Sequence, residues 1–311
     1  MEETIIDIQK DIHWLYQNGY LKELLKDRTT RKNILWATDA YAEMGEGFQK
    51  NETIEDYLIA RDHVGVLKTR ARKALEQQSA RTRQHAEVFT PTWVCKKMND
   101  YIDADWFGRE GVFDSSEKTT FPDGKTWKNY VDNRRLEITC GEAPYLVNRY
   151  DAETGELVPI EKRIGILDRK LRVLNENAVD EAEWQKWAMR ALQATFGYEF
   201  QGDNLLIARV NVLMTYCENL QQCWKHLPDT KSIKTAISII TWNLWQMDGL
   251  TDMIPYAGKH SVEQLGLFDE PQEFGENLFD EPVEKPMYCR IYDWRNLNKS
   301  IEFRSIKGAG I

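Results

Sequence analysis

Leu136-Glu137-Ile138-Thr139-Cys140-Gly141-Glu142-Ala143-Pro144-Tyr145-Leu146 is the stretch whose reading decides the fold. Residues 135–147 read as a short strand, a tight turn at Cys140-Gly141, and the start of another element. Upstream, Ala86-Glu87-Val88-Phe89-Thr90-Pro91 reads as an extended turn entering a helix, with Thr90 as cap and Pro91 at the first helical position. Downstream, Tyr198-Glu199-Phe200 is a short strand carrying an acid. Residues 203–224 form a long amphipathic helix with apolar positions at 205, 206, 210, 213 and 214. Residues 233–244 are an apolar, β-branched run, expected as a third strand that leads to Gln246-Met247-Asp248-Gly249-Leu250.

This order belongs to an open α/β sheet that binds a nucleoside at the carboxyl edge of its strands. Such an edge needs a tight turn where backbone approaches the ligand, an acid that accepts hydrogen bonds from ribose hydroxyls, and a polar group that reads the base. Cys140-Gly141, Glu199 and Asp248 are the candidates, in that order.

The flanking sequence divides as residues 1–84, expected to be helical; 85–257, the α/β core; 258–286, an acidic loop or linker; and 287–311, with strand-like alternation. In the first part, Ile5, Ile8, Ile12 and Leu15 recur at helical spacing, and Thr29-Thr30 offers a cap before an apolar stretch. Residues 107–134 read as an insertion or hairpin around Pro122-Asp123-Gly124, and residues 184–196 as a Trp-rich helix. Residues 148–183 are polar, with a turn at 151–155.

The net charge is −9, the wrong sign for a chain that grips duplex DNA with its whole surface. One stretch inverts the balance: Lys68, Arg70, Arg72, Lys73, Arg81 and Arg83 form either a solvated helix face or a strip that contacts phosphates. No apolar run approaches the roughly 18–20 residues that span a bilayer, and the acidic start Met1-Glu2-Glu3 lacks the form of a secretion signal. The expectation is a cytoplasmic protein with no membrane contact. The five cysteines are scattered and odd in number, which fits reduced thiols.

The chain resembles the gamma-type adenine-N6 DNA methyltransferases of bacterial restriction–modification systems over roughly residues 80–255. Ala86 to Pro91 resembles the family's Gly-Glu-x-Phe/Tyr-Thr-Pro segment. Leu136 to Leu146 resembles its Asp-Pro-Ala-Cys-Gly-Ser-Gly-Ala-Phe-Leu loop. Tyr198-Glu199-Phe200, with Ala208-Arg209-Val210-Asn211-Val212-Leu213, resembles its second-strand segment and following helix, and Asp248-Gly249-Leu250 its third motif. The resemblance implies a Rossmann-like methyltransferase fold and S-adenosylmethionine as cofactor. Glu87, Phe89, Thr90 and Pro91 would line the methionine end, Cys140 and Gly141 would form the loop, Glu199 would hold the ribose, and Asp248 the adenine.

Two departures qualify what it implies. The second loop glycine is replaced by Ala143, followed by Pro144, and Glu142 adds negative charge; both are expected to weaken cofactor binding. The catalytic Asn-Pro-Pro-Tyr, which holds the flipped adenine in that family, occurs nowhere in the sequence. The expectation is therefore the cofactor-binding part of a split DNA-modifying enzyme, whose partner chain carries the catalytic motif and target recognition. The alternative is an inactive methyltransferase-like module that binds DNA or protein. Gln264-Leu265-Gly266-Leu267-Phe268 also resembles a sliding-clamp docking peptide.

Overall fold

The computed structural model describes residues 5–72, 90–257, 286–296 and 298–307. Three short strands, β1 (Arg135–Glu137), β2 (Thr195–Glu199) and β3 (Leu244–Gln246), form a parallel sheet in the order β1-β2-β3. Glu137 is level with Gly197, and Gly197 in turn with Leu244. The helices are α1 (Ile8–Gln17), α2 (Leu21–Leu24), α3 (Thr92–Phe107), α4 (Trp127–Val131), α5 (Ile166–Asn177), α6 (Glu181–Gln193), α7 (Gly202–Trp224) and α8 (Thr230–Asn243). Parallel neighbours can be joined only by a long crossover. Here α5 and α6 carry the chain from β1 to β2, and α7 and α8 carry it from β2 to β3. The molecule is thus a mixed helix and sheet protein, compatible with the expected α/β class.

The expected third strand is mostly helix. Residues 230–243 form α8, capped by Asp229, whose carboxylate accepts from the Ser232 N–H at 2.7 Å. Ile233, Ala236, Ile237 and Ile240 recur at helical spacing and are all buried, so the period outweighs the β-branched composition. Only Leu244–Gln246 is left as strand.

The polar stretch 148–183 hides a further helix, α5, which buries Asp168, Arg169 and Lys170. Arg169 binds Asp103 at 2.7 Å and Asp100 at 2.6 Å, both on α3, while Lys170 Nζ donates to the Asn133 and Ala194 carbonyls at 2.6 and 2.9 Å. Partnered charges can enter a core, and they conceal it from hydrophobic pattern reading.

Among its described residues, 5–72, the N-terminal part is less helical than expected: α1 and α2 are followed by single turns at Ala42–Met44 and Arg70–Arg72 and a π-helical turn at Leu58–Asp62. Thr29 and Thr30 do not cap a helix. Their N–H groups donate to the Asp27 carboxylate at 3.3 and 2.8 Å, which makes a turn, and the chain beyond forms isolated bridges, Lys26 to Asn33 and Leu35 to Thr53.

This segment is sewn to the sheet. The Gln246 side chain accepts from the Leu35 N–H and donates to the Leu35 carbonyl, both at 2.8 Å, and the Gly202 N–H donates to the Trp36 carbonyl at 2.9 Å. A Cβ at Gly202 would lie 1.9 Å from the Leu35 carbonyl oxygen, so only glycine permits the approach. Ile8, Leu15, Trp36 and Phe48 share one buried cluster with Leu205, Leu213 and Ile237.

Residues 107–134 form no hairpin. The turn at Asp123-Gly124 is present, but the segment is held by Phe107, Phe113, Phe121 and Tyr130, whose rings lie 5.1–6.0 Å from one another where they touch, and it ends in α4. The alternation in the last part gives an antiparallel hairpin, β4 (Arg290–Asp293) with β5 (Lys299–Glu302), followed by α9 (Arg304–Lys307). Ile291 and Phe303 pack there on Tyr198 and Trp245. Among the described residues, no helix is long and apolar enough to cross a membrane.

Candidate functional site

Because the three strands are parallel, their carboxyl ends share one edge, which is where open α/β sheets receive ligands. β1 ends in Glu137, β2 in Glu199 and β3 in Gln246, with Asp248 two residues on. The hydrogen-bond ladder continues past the strands: the Cys140 N–H donates to the Tyr198 carbonyl at 2.8 Å and the Met247 N–H to the Glu199 carbonyl at 3.1 Å. Gly197 makes room for this. A Cβ there would sit 3.2 Å from the Cys140 Cβ and Sγ and 2.9 Å from Leu244, so the bare strand lets the β1 loop lie across β2.

That loop then turns sharply over Glu199. The Gly141 N–H donates to Glu199 Oε2 at 2.8 Å, and the Gln201 N–H donates to Oε1 at 3.1 Å. Thr139, Gly141 and Ala143 all have positive φ, at 50°, 53° and 67°. For the two non-glycine residues this costs on the order of 1–2 kcal/mol each. Ala143 therefore takes the left-handed conformation expected of a glycine, and the substitution leaves the turn in place at the expense of strain. Glu142 has both carboxylate oxygens engaged, Oε1 by the Arg70 N–H at 2.7 Å and Oε2 by the Tyr150 hydroxyl at 2.8 Å.

A cavity of about 690 Å³ opens above this edge, within the range typical of small-molecule sites. Thr90, Cys140, Gly141, Glu199 and Asp248, drawn from four separate parts of the sequence, all line it. Arg70 lines it as well, so one member of the basic stretch belongs to the cavity wall. Asp248 closes its own turn, with Oδ1 accepting from the Leu250 N–H at 2.9 Å. The Thr90 side chain meets the Tyr145 hydroxyl.

Two carboxyl groups dominate the electrostatics. Burial pushes Glu199 up to about 7, with the Gln201 and Gly141 N–H groups opposing and the Asp203 charge adding. Burial also lifts Glu137 well above the usual carboxylate range, opposed by the Tyr145 and Leu146 N–H groups and reinforced by Glu199. Oε2 of Glu137 has no hydrogen-bond partner among the described residues. Burial, then Glu137 and Glu199, raise the Cys140 thiol well above its ordinary value, so it is a packing residue rather than a thiolate nucleophile.

The other expected site residues fall elsewhere. Pro91 occupies the cap position of α3 rather than its first turn, and does not line the cavity. Glu87, Phe89, Lys73, Arg81 and Arg83 lie outside the described residues, as do residues 258–285 with Gln264 to Phe268. Lys68 is exposed in a non-helical segment, and Arg72 Nη1 lies 3.9 Å from Asp7. The described part of the basic stretch is therefore not a helix face beyond the single turn Arg70–Arg72. Glu137 is the site residue the sequence reading passed over. The strand-end rule that selected Glu199 applies equally to it.

Compared with known proteins, the chain matches no family model, no curated protein and no solved structure.

Proposed function

We propose that the cavity is a nucleoside-cofactor site and that the chain is the S-adenosylmethionine-binding part of an adenine-N6 DNA methyltransferase with a Rossmann-like fold. The observation that supports this most is the convergence of Thr90, Cys140, Gly141, Glu199 and Asp248 on one cavity at the carboxyl edge of a parallel sheet. Strain stored in Thr139 and Ala143 supports it further, because left-handed non-glycine residues persist where a site demands the turn.

The donor set suits the group. Glu199 is a buried acceptor for ribose hydroxyls, Asp248 lines the same cavity for the adenine, and the loop backbone at Gly141 allows close approach. When bound, S-adenosylmethionine supplies an electrophilic methyl group. This chain's residues would hold and orient it and keep water from its carboxyl-edge face. Base flipping and positioning of N6 would fall to a partner chain, because the sequence contains no Asn-Pro-Pro-Tyr.

Calorimetric titration with S-adenosylmethionine, wild type against Glu199→Ala, tests the reading. Saturable heat in the wild type that vanishes in the variant is the expected result. No heat, with or without DNA and partner, would sink it. The missing tetrapeptide favours a second reading, a non-catalytic module that keeps the fold and binds DNA or protein. DNA binding that is indifferent to the cofactor would favour that one.

A further inference from the structure

A second cavity, of about 660 Å³, lies at the other edge of the sheet. Gln193, just before β2, lines it together with Lys231, Lys234, Thr235 and Ser238 of α8 and with Trp294 of the turn after β4. Trp294 Nε1 donates to Asn243 Oδ1 at 2.8 Å, and Asn243 Nδ2 donates to the Leu192 and Thr195 carbonyls at 2.9 and 3.0 Å. This groove is therefore pinned to the amino ends of β2 and β3, whereas the cavity described above sits at the carboxyl ends, and the two share no residue.

Its charge runs against that of the chain. The net charge is −9, yet α8 carries two lysines and no acid. Lys231, Lys234, Thr235, Ser238 and Trp242 recur at helical spacing and so share one face of α8, about 16 Å long. Both lysines are exposed, and among the described residues no salt bridge engages either. Of the acids close by, Asp229 caps the helix through the Ser232 N–H, and Asp293 closes its own turn by accepting from the Arg295 and Asn296 N–H groups. Asp132 is shared between two guanidiniums, Arg190 at 2.9 Å and Arg295 at 2.5 Å. Beyond the lysines the face turns aromatic. Trp242, Tyr292 and Trp294 form a row with ring centroids 5.5 and 4.3 Å apart, all three half-buried. The bond to Asn243 and the contact with Tyr292 fix the Trp294 ring before any ligand arrives.

Ammonium groups and hydroxyls bind phosphate oxygens, and a fixed indole stacks on an unpaired base. We propose that this face of α8, with the Trp294 turn, holds a single strand of nucleic acid, its phosphates over Lys231 and Lys234 and a base on Trp294. A duplex keeps its base faces inside the stack, so the aromatic row selects the single strand. Because the groove lies at the opposite sheet edge, the proposal does not rest on the cofactor reading.

The test is fluorescence anisotropy of a labelled oligothymidylate of about twelve residues, titrated with the full chain at low salt. Saturable binding is expected, at least about fivefold tighter than to a duplex of the same length. Lys231→Glu combined with Lys234→Glu should weaken it at least about tenfold and flatten its dependence on salt. Trp294→Leu should weaken the single strand about tenfold and leave the duplex unchanged, while Trp294→Phe, which keeps a ring, retains most of the affinity. No saturable binding of the oligothymidylate would overturn the proposal, and so would affinity unchanged in the double lysine variant. Duplex bound as tightly as single strand would reduce the face to a patch of charge and overturn it as well. If Trp294→Leu does not fold, the lysine variant decides, because both side chains are exposed. Failure of S-adenosylmethionine to bind would defeat the cofactor reading and leave this one standing.

Discussion

The sheet edge and the contact between α3 and α5 both bury acids, but they treat them differently. Between the helices, Asp103 and Asp100 meet the guanidinium of Arg169 at 2.7 and 2.6 Å. Burial raises Asp100, yet Lys96 and Arg169 bring it below its ordinary range. At the sheet edge, Glu137 and Glu199 face peptide N–H groups and each other, and burial pushes both upward. The first arrangement joins two helices and leaves its acids compensated. The second holds acids opposed only by peptide N–H groups, the feature on which the proposed cofactor site draws.

The largest effect that would test this contrast is Arg169→Ala. Removing the guanidinium strands Asp103 in the core, and a loss of about 3–5 kcal/mol is expected by urea denaturation at neutral pH. A loss below about 1 kcal/mol would show that the helix contact does not depend on the pair. Next is Gly197→Ala, where a Cβ would press on Leu244 at 2.9 Å and on Cys140 at 3.2 Å. It should cost about 1–3 kcal/mol and shift the loop away from Glu199. Thermal unfolding and cofactor titration read the two consequences separately.

The pH dependence sharpens the comparison further. Burial pushes Glu199 up to about 7 in the folded chain, against an ordinary carboxylate value of 4.5. Between these values the folded protein holds a proton that the unfolded chain has released, so this group's contribution to stability falls as pH rises through that window. Asp168, pushed to about 6 by burial, acts with the same sign, so the difference between wild type and Glu199→Gln is the quantity to measure. The variant should lose a decline on the order of 3 kcal/mol from a plot of unfolding free energy against pH. Parallel profiles for the two proteins would mean that Glu199 titrates normally. The smallest effect is expected from Ala143→Gly. Relief of the strained φ of 67° is offset by the greater freedom of glycine when unfolded, so stability should change by less than about 1 kcal/mol.

Local signals were legible where one residue type did one job. Glu199 at the end of its strand, the turn at Cys140-Gly141, the 203–224 helix and the alternation of the last part could all be read from spacing. The reading failed where two preferences competed. In residues 233–244 the β-branched content argued for strand, while the three-to-four repeat of Ile233, Ala236, Ile237 and Ile240 argued for helix, and packing against α6 and α7 favoured the repeat. In α5 the buried Arg169 and Lys170 fall in a stretch that reads only as polar, because their partners Asp103, Asn133 and Ala194 lie far away in sequence.

The sequence by itself determined which groups could serve a ligand: the strand-end acid Glu199, a turn that bends backbone inward at Cys140-Gly141, and Asp248 on a tight turn. Those choices rest on short-range chemistry that a few neighbouring residues dictate. Only the tertiary structure decided that these groups share one cavity, that Ala143 takes a glycine's conformation, and that Glu137 stands buried with an oxygen unpartnered among the described residues. Each depends on segments remote in the chain meeting in space, and the cost of burying a charge exists only once those segments have closed over it.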